Sequence, residues 1–464
     1  MLDATLHTAL RRGGDFAEVF VEYRRVVQAR LDDGKVEELV TGRDRGAGIR
    51  VVRGDRTGFA HTANLSGRGL SDAAEAAATA AAGSAGGGAE VVALQRQAAE
   101  PTHEVAHLPE SVDKARKVDV LRRAEARARA TQSDRPHEQI AQVTASYNDG
   151  RRRILVANSD GLLAEDDQVR TRLAVSCVAT GDTGRQTGME APGRTVGFEM
   201  FDEIDPEAVA ETAARRALTL LQARPAPSGP LPVVLRQGAG GILFHEACGH
   251  GLEADLVAKD ASVFAGRVGE QVASPLVTLV DDGRLAREWG TNAIDDEGAP
   301  ARRNVLIEDG VLTDYMWDLL QARRESRSSG GNGRRQTYQH LPMVRMTNTY
   351  LLARDSDPDE IVRQTPHGVY CAQLGGGQVN TATGDFVFGM TEAYLIENGE
   401  ITAPLRGANL IGNGPDALRD VDAVGNDFAT WPGTCGKFGQ GVPVSAGQPT
   451  LRVAELTVGG TAGA

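Results

Sequence analysis

Residues His245-Glu246-Ala247-Cys248-Gly249-His250-Gly251-Leu252-Glu253-Ala254-Asp255 constrain the fold more than any other stretch of this 464-residue chain. Two imidazoles bracket a carboxylate. Neutral imidazoles are zinc ligands, and a carboxylate beside the ion can take a proton from water attacking a carbonyl, so these are the parts of a zinc hydrolase. In H-E-x-x-H zinc motifs the histidines lie four apart and share one helical face. Here they are five apart, which on a regular α-helix turns them about 140° away from each other. The pair can serve one ion only if the helix ends or bulges between them. Gly249 and Gly251 flank His250, and glycine accepts strained backbone angles, so a helix that stops near Cys248 and lets His250 swing back is expected. The competing reading is two unrelated histidines on a glycine-broken helix end. The apolar run Gly241-Ile242-Leu243-Phe244 favours a partly buried site.

The length suggests two to three domains, and 41% hydrophobic residues suffice for sizeable cores. The first residues, Met1-Leu2-Asp3-Ala4-Thr5, lack the basic start and long apolar core of a signal peptide, and no run has the length of a membrane span. Four cysteines (Cys177, Cys248, Cys371 and Cys435) lie far apart without a C-x-x-C pair, which fits a reducing cytoplasm better than a disulfide framework. A net charge of −13 disfavours nucleic acid or an anionic membrane as partner, despite local pairs such as Arg323-Arg324 and Arg334-Arg335.

Residues 15 to 60 alternate with period two and turn at Asp32-Asp33-Gly34-Lys35 and Gly54-Asp55, predicting antiparallel sheet. Helices are expected over Ser71 to Ala82, Val112 to Thr131 and Pro206 to Ala223, with strands near Ile140 to Tyr147 and Arg153 to Val156 and a turn at Asn158-Ser159-Asp160-Gly161. A flexible glycine-rich loop is expected over about 83–110. Pro225, Pro227, Gly229 and Pro230 mark residues 224–230 as a linker. The predicted class is α+β: an N-terminal α/β domain over 1–223 with antiparallel sheet and helices, and a mostly-β catalytic domain over 231–464 carrying the metal-binding helix.

A catalytic zinc usually takes three protein ligands and keeps one position for water. Candidates for the third are Cys248, near His245 on the same helical face, and Cys435, in the loop Thr434-Cys435-Gly436-Lys437-Phe438-Gly439-Gln440 where Lys437 would favour a thiolate. Glu253 and Asp255 are further possibilities, although acids after a helix break more often cap it. Gly375-Gly376-Gly377-Gln378 lacks the lysine and serine of a phosphate loop and reads as a β-turn, or as glycines that let a substrate backbone approach.

Taken together, the motifs resemble the TldD/PmbA family of zinc metallopeptidases along nearly the whole chain. His245 to Asp255 matches H-E-A-x-G-H-G-L-E-x-D of the TldD branch, and Gly433-Thr434-Cys435-Gly436-Lys437 matches its distal cysteine loop. Gly46 to Arg50, Thr57-Gly58-Phe59-Ala60, Ala157-Asn158-Ser159, Arg345-Met346-Thr347-Asn348-Thr349, Gly375 to Val379 and Gly447 to Val453 match as well. Ala254 departs where glycine is expected and bears only on the local turn. The resemblance implies one zinc per chain held by His245, His250 and Cys435, with Glu246 as general base and Cys248 at a variable position. It implies hydrolysis of unfolded or small peptides, including leader-peptide removal in modified-peptide maturation. It also implies a dimer, commonly with a motif-lacking TldE/PmbA-like paralog; a homodimer is the alternative.

Two imidazoles and a thiolate leave a net charge of about +1 at zinc, so water activation would lean on Glu246. Arg334, Tyr338 and His340 are candidate donors to the oxyanion, each with an ordinary structural use as the alternative. The many short strands after Leu231 suggest an edge that takes extended peptide by backbone pairing. The rival function is a non-catalytic, zinc-stabilised peptide-binding subunit. A structural zinc site is closed by four ligands and needs no neighbouring base, so Glu246 discriminates the two.

Overall fold

The computed structural model describes residues 1–82 and 88–460. Helix α1 (Leu2–Leu10) precedes the long hairpin of β1 (Phe16–Asp32) and β2 (Lys35–Arg53), and β3 (Arg56–Thr62) folds back onto β2. Asp33 and Gly34 turn the hairpin with positive φ at both residues, the geometry that matches the twist of paired strands. Helix α2 (Gly67–Ala80) then returns over the sheet.

After a short β4 (Gln95–Gln97) the same order recurs. Helix α3 (Lys114–Ala130) is followed by the hairpin β5 (Gln139–Asn158) and β6 (Leu162–Gly181), by β7 (Gly184–Glu190), a short β8 (Gly193–Arg194), a single turn α4 (Met200–Glu203), and α5 (Pro206–Leu221). The two units meet where β1 pairs with β5, giving the order β3-β2-β1-β5-β6, with β4, β7 and β8 all on β6. The repetition extends to packing. A Cβ on Gly58 of β3 would strike the Ala77 carbonyl oxygen of α2, and one on Gly188 of β7 would strike that of Ala213 in α5. Helix α5 starts sharply because Asp205 caps the Glu207 amide and Pro206 occupies the first turn.

Strands of 17 to 20 residues in β1, β2, β5 and β6 leave room for two helix pairs on one face. Helices α1 and α2 cover Ala17, Val19, Ile49 and Val51, and α3 and α5 cover Ala29, Leu31, Val143 and Leu173. Side chains alternate across a strand, so Glu18, Phe20 and Glu22 face the other way. That face is buried too, against the second half of the chain.

The expected helices and strands are present, with the separate strands near 140–147 and 153–156 merged into the single β5. Residues 83–87 of the expected loop lie outside the described residues. Its described part is attached to the sheet through Ala89 N–H to Gly14 O, Val92 N–H to Ser159 O and the pairing of β4 with β6. Residues 224–230, expected as a linker, run largely as strand: Arg224–Pro225 pairs with Glu400–Arg406, and Gly229 begins the strand Gly229–Leu235.

The second half is mostly β. Strand His367–Val379 pairs with both Gly229–Leu235 and Asp385–Glu397, which with Leu451–Gly459 and Asn409–Asn413 closes five strands into a barrel. Beside it a six-stranded sheet runs in the order Val311–Leu312, Arg303–Glu308, Leu279–Asp282, Asn348–Leu351, Gln440–Gln448 and Ala429–Lys437. One continuous apolar core, including Leu243, Phe244, Phe264, Met346 and Phe388, joins the two.

Ion pairs dominate the contact between the halves. Glu18 binds Arg50 at 2.8 Å and also Arg335; Arg50 reaches Glu297 at 2.7 Å; Arg152 bridges Glu22 at 2.5 Å and Asp296 at 2.7 Å. Glu18, Arg50, Glu297 and Arg335 are all buried. Removing one partner from such a network strands charge out of water, so Arg50→Met is expected to destabilise the fold by about 3–5 kcal/mol in denaturant unfolding. A loss below about 1 kcal/mol, the ordinary scale of a surface pair, would contradict this role.

Candidate metal centre

Helix α6 (Gly241–Phe244) continues into a single π turn over His245–Gly249, then into a 3-10 turn over His250–Leu252 and helix α7 (Ala254–Val257). The His250 N–H donates to the His245 carbonyl, an i to i+5 bond that inserts the extra residue. Of the two routes open to a five-residue spacing, the chain takes the bulge. The helix does not stop near Cys248. Gly249 is helical at φ −56° and ψ −48°, so it does not supply a left-handed angle. Its use is steric: a Cβ there would strike Met346 Sδ. Ala254 opens α7 and donates its N–H to Met316 O at 3.0 Å, so the departure from glycine is accommodated.

The π turn sets the two imidazoles face to edge, with ring centroids 5.4 Å apart and planes at 83°. Cys435, on strand Ala429–Lys437, comes from the other side, its Sγ 3.4 Å from His250 Nε2. One ligand atom from each of His245, His250 and Cys435 lies within 4.8 Å of the others, and all three residues are buried. Neither nitrogen of His245 has a hydrogen-bond partner, an unusual condition for a buried imidazole. His250 Nδ1 is engaged with Glu253 at 2.9 Å, which leaves Nε2 facing the thiol. Two imidazoles and a thiol with one shared focus suit zinc. The residues fit the ion.

Electrostatics point the same way. Burial raises a thiol's pKa, yet the two imidazoles hold Cys435 well below the ordinary range. Burial alone pushes the Cys248 thiol up. Cys248 sits in the apolar core and joins no such cluster. Burial also works against ionised Glu253, but His250 and Lys437 keep it below the usual carboxylate range.

Glu253 and Asp255 act as supports rather than ligands. Lys437 Nζ lies 2.9 Å from Glu253 Oε2, 2.7 Å from Asp255 Oδ1 and 3.1 Å from the Val344 carbonyl. It therefore anchors the cysteine strand to the segment after His250 instead of facing the thiol. Arg345, fully buried, donates to the Cys435 and Gln440 carbonyls and fixes the same hairpin. The sequence put Glu253 and Lys437 near the site in other roles and gave Arg345 none; only the fold reveals what they hold.

Glu246 is partly exposed and lines a cavity of ≈490 Å³ with His245 and Cys435. Its Oε2 lies 3.6 Å from His250 Nε2. The remaining walls come from Gln373 to Gly376, Trp431 to Thr434, and Thr187, Met189 and Arg216 of the first half. Gly375 and Gly376 bulge out of register between the pairs Leu374–Met390 and Gly377–Phe388, so they form no phosphate loop. Arg334, Tyr338 and His340 do not line this cavity. Arg334 donates to Met346 O and Pro443 O, Tyr338 packs between the halves with its N–H on Glu22, and His340 Nδ1 pairs with the Thr337 hydroxyl.

Three family models match in succession: PmbA/TldA metallopeptidase domain 1 over residues 17–81, the central domain over 107–221 and the C-terminal domain over 228–460. A metalloprotease TldD homolog of Haemophilus influenzae is 40% identical over 457 residues, covering 97% of this chain and 94% of that protein. A zinc metalloprotease TldD homolog of Saccharolobus solfataricus is 32% identical over 262 residues, 56% of this chain and 58% of its own. The crystal structure of TldE from Thermococcus kodakarensis superposes with a TM-score of 0.79 over 98% of this chain and 99% of that one, at 20% identity, and so shares the fold. The chain belongs to the PmbA/TldD metallopeptidase family. No helix among the described residues is long and apolar enough to cross a membrane.

Lys437→Met would leave Glu253 and Asp255 buried without their cation. A destabilisation of about 3–5 kcal/mol is expected by denaturant unfolding. An unchanged midpoint would show that the lysine does not anchor the cysteine strand.

Proposed function

We propose that the protein is a zinc-dependent peptidase acting on unfolded or small peptides, with one zinc per chain held by His245, His250 and Cys435. The observation that carries this reading is the convergence of those three side chains beside a solvent-reachable carboxylate, Glu246, at one cavity. Zinc bound there would polarise the scissile carbonyl and lower the pKa of water. Glu246 accepts the proton of the attacking water and returns it to the departing amine. Glu253 orients His250 by occupying Nδ1, an arrangement that fixes both tautomer and ring direction.

Strand Ala429–Lys437 is the outermost strand of the six-stranded sheet, and Trp431 to Cys435 line the cavity. An extended peptide would pair with that edge, while the bulge at Gly375-Gly376 opposite leaves room for its backbone. Pairing through the main chain reads few side chains, which supports broad specificity, with leader-peptide removal among the uses.

In this reading the partner is a motif-lacking paralog of the TldE kind, or a second copy of this chain, and the compartment is the cytoplasm. Relatives named metalloproteases and the TldE fold likeness support it. The alternative, a zinc-stabilised peptide-binding subunit, gives Glu246 no task.

Glu246→Gln is expected to retain zinc and peptide binding while hydrolysis of an unstructured peptide falls by about 10²–10⁴-fold. Full turnover by that variant with its zinc in place would remove Glu246 from the mechanism.

A further inference from the structure

A second cavity, of ≈330 Å³, is lined by residues of both halves and shares one lining residue, Thr434, with the first. Seven arginines line it, against only Asp149 and Asp296. Three of these arginines are already paired: Arg151 with Asp167 and Glu110, Arg152 with Glu22 and Asp296, and Arg335 with Glu18. The two aspartates are likewise spoken for, Asp149 by Lys117 and Tyr147 and Asp296 by Arg152.

Four arginines form no direct ion pair among the described residues. Arg334 is 5% exposed and donates only to the neutral carbonyls of Met346 at 2.6 Å and Pro443 at 2.8 Å. Arg170 donates only to Trp289 O, Gln168 Oε1 and Thr291 O, at 2.9 to 3.0 Å. Arg24 and Arg25 form no ion pair among the described residues, and Arg25 Nε is buried without a partner. Burial and the neighbouring arginines push Arg170 down to about 9, and burial, only partly offset by Asp296, takes Arg334 to about 10, so the nearby aspartates do not fully compensate the positive charge here. Arg334 is a buried cation with no direct ion pair, which is costly, and a carboxylate is the partner whose geometry a guanidinium fork matches.

We propose that this arginine cavity is a substrate subsite that binds a carboxylate of the peptide, either its C-terminus or an acidic side chain. The proposal rests on the peptidase reading, since it has the bound chain extend from the first cavity past Thr434 to the second. Arg24, Arg25, Arg170 and Arg334 supply the charge, and the Trp289 side chain supplies an apolar wall. The effect is local: at a net charge of −13 the chain as a whole repels anions, so bulk attraction would not produce a preference for acidic peptides.

The test uses the full-length, zinc-loaded Glu246→Gln protein and a fluorescent unstructured peptide, read by anisotropy without turnover. Competitors are one peptide sequence as free acid and as C-terminal amide, each with glutamate or glutamine at an interior position. At low salt at least one carboxylate-bearing form is expected to bind about tenfold more tightly than the fully neutral form, the scale of a charge-assisted hydrogen bond. Which form does so separates a terminal from a side-chain carboxylate. The gap is expected to close as salt rises and to collapse in the Arg24→Ala/Arg25→Ala protein. Equal affinity for all forms at low salt would overturn the subsite and leave the peptidase reading standing. No binding of any form would overturn both.

Discussion

The hydrogen bond from the His250 amide to the His245 carbonyl is the interaction on which the proposed metal centre depends. A regular helix would send the two imidazoles to different faces, and no side-chain rotation could bring both to one ion. One i to i+5 turn corrects the phase by a single residue. The turn survives because its surroundings are shaped for it. Gly249 passes flush against Met346, Gly414 packs on the Ala247 carbonyl, and Cys248 fills the apolar core.

Around that turn the structure places charge where hydrophobic packing would have been cheaper. Glu253, Asp255 and Lys437 tie the histidine segment to the cysteine strand, and Glu18, Arg50, Glu297 and Arg335 tie the first half of the chain to the second. Ion pairs of this kind add little net stability but tolerate few alternative geometries. The consequence for function is positional. The cavity walls come from both halves, with Thr187, Met189 and Arg216 lining it beside Trp431 to Cys435, so the docking of the halves sets the width of the cavity.

Much of the fold was legible in local pattern. The β1–β2 hairpin, its Asp33-Gly34 turn and helices α2, α3 and α5 follow from periodicity, capping residues and turn chemistry, and the proposed metal ligands stand out by residue type and by resemblance. What was hidden is non-local. The alternation Glu18-Val19-Phe20-Val21-Glu22 reads as a half-solvated strand, because the cations that pair with its acids lie at positions 50, 152 and 335. The five-residue spacing admitted either a helix stop or a bulge, and glycine at 249 and 251 favoured the stop; contacts with Met346 and Phe264, distant in sequence, explain those glycines instead. Arg334, Tyr338 and His340 were chosen from a neighbourhood in sequence that the chain folds away from the ligands.

The central claim is that one ion is held by ligands that only the π turn and the Ala429–Lys437 strand bring together. Metal analysis of the purified wild type, Cys435→Ser and Cys248→Ser proteins tests it most directly. The account predicts one zinc per chain in the wild type and in Cys248→Ser, and its loss in Cys435→Ser. Zinc kept by Cys435→Ser, or lost only in Cys248→Ser, would contradict it.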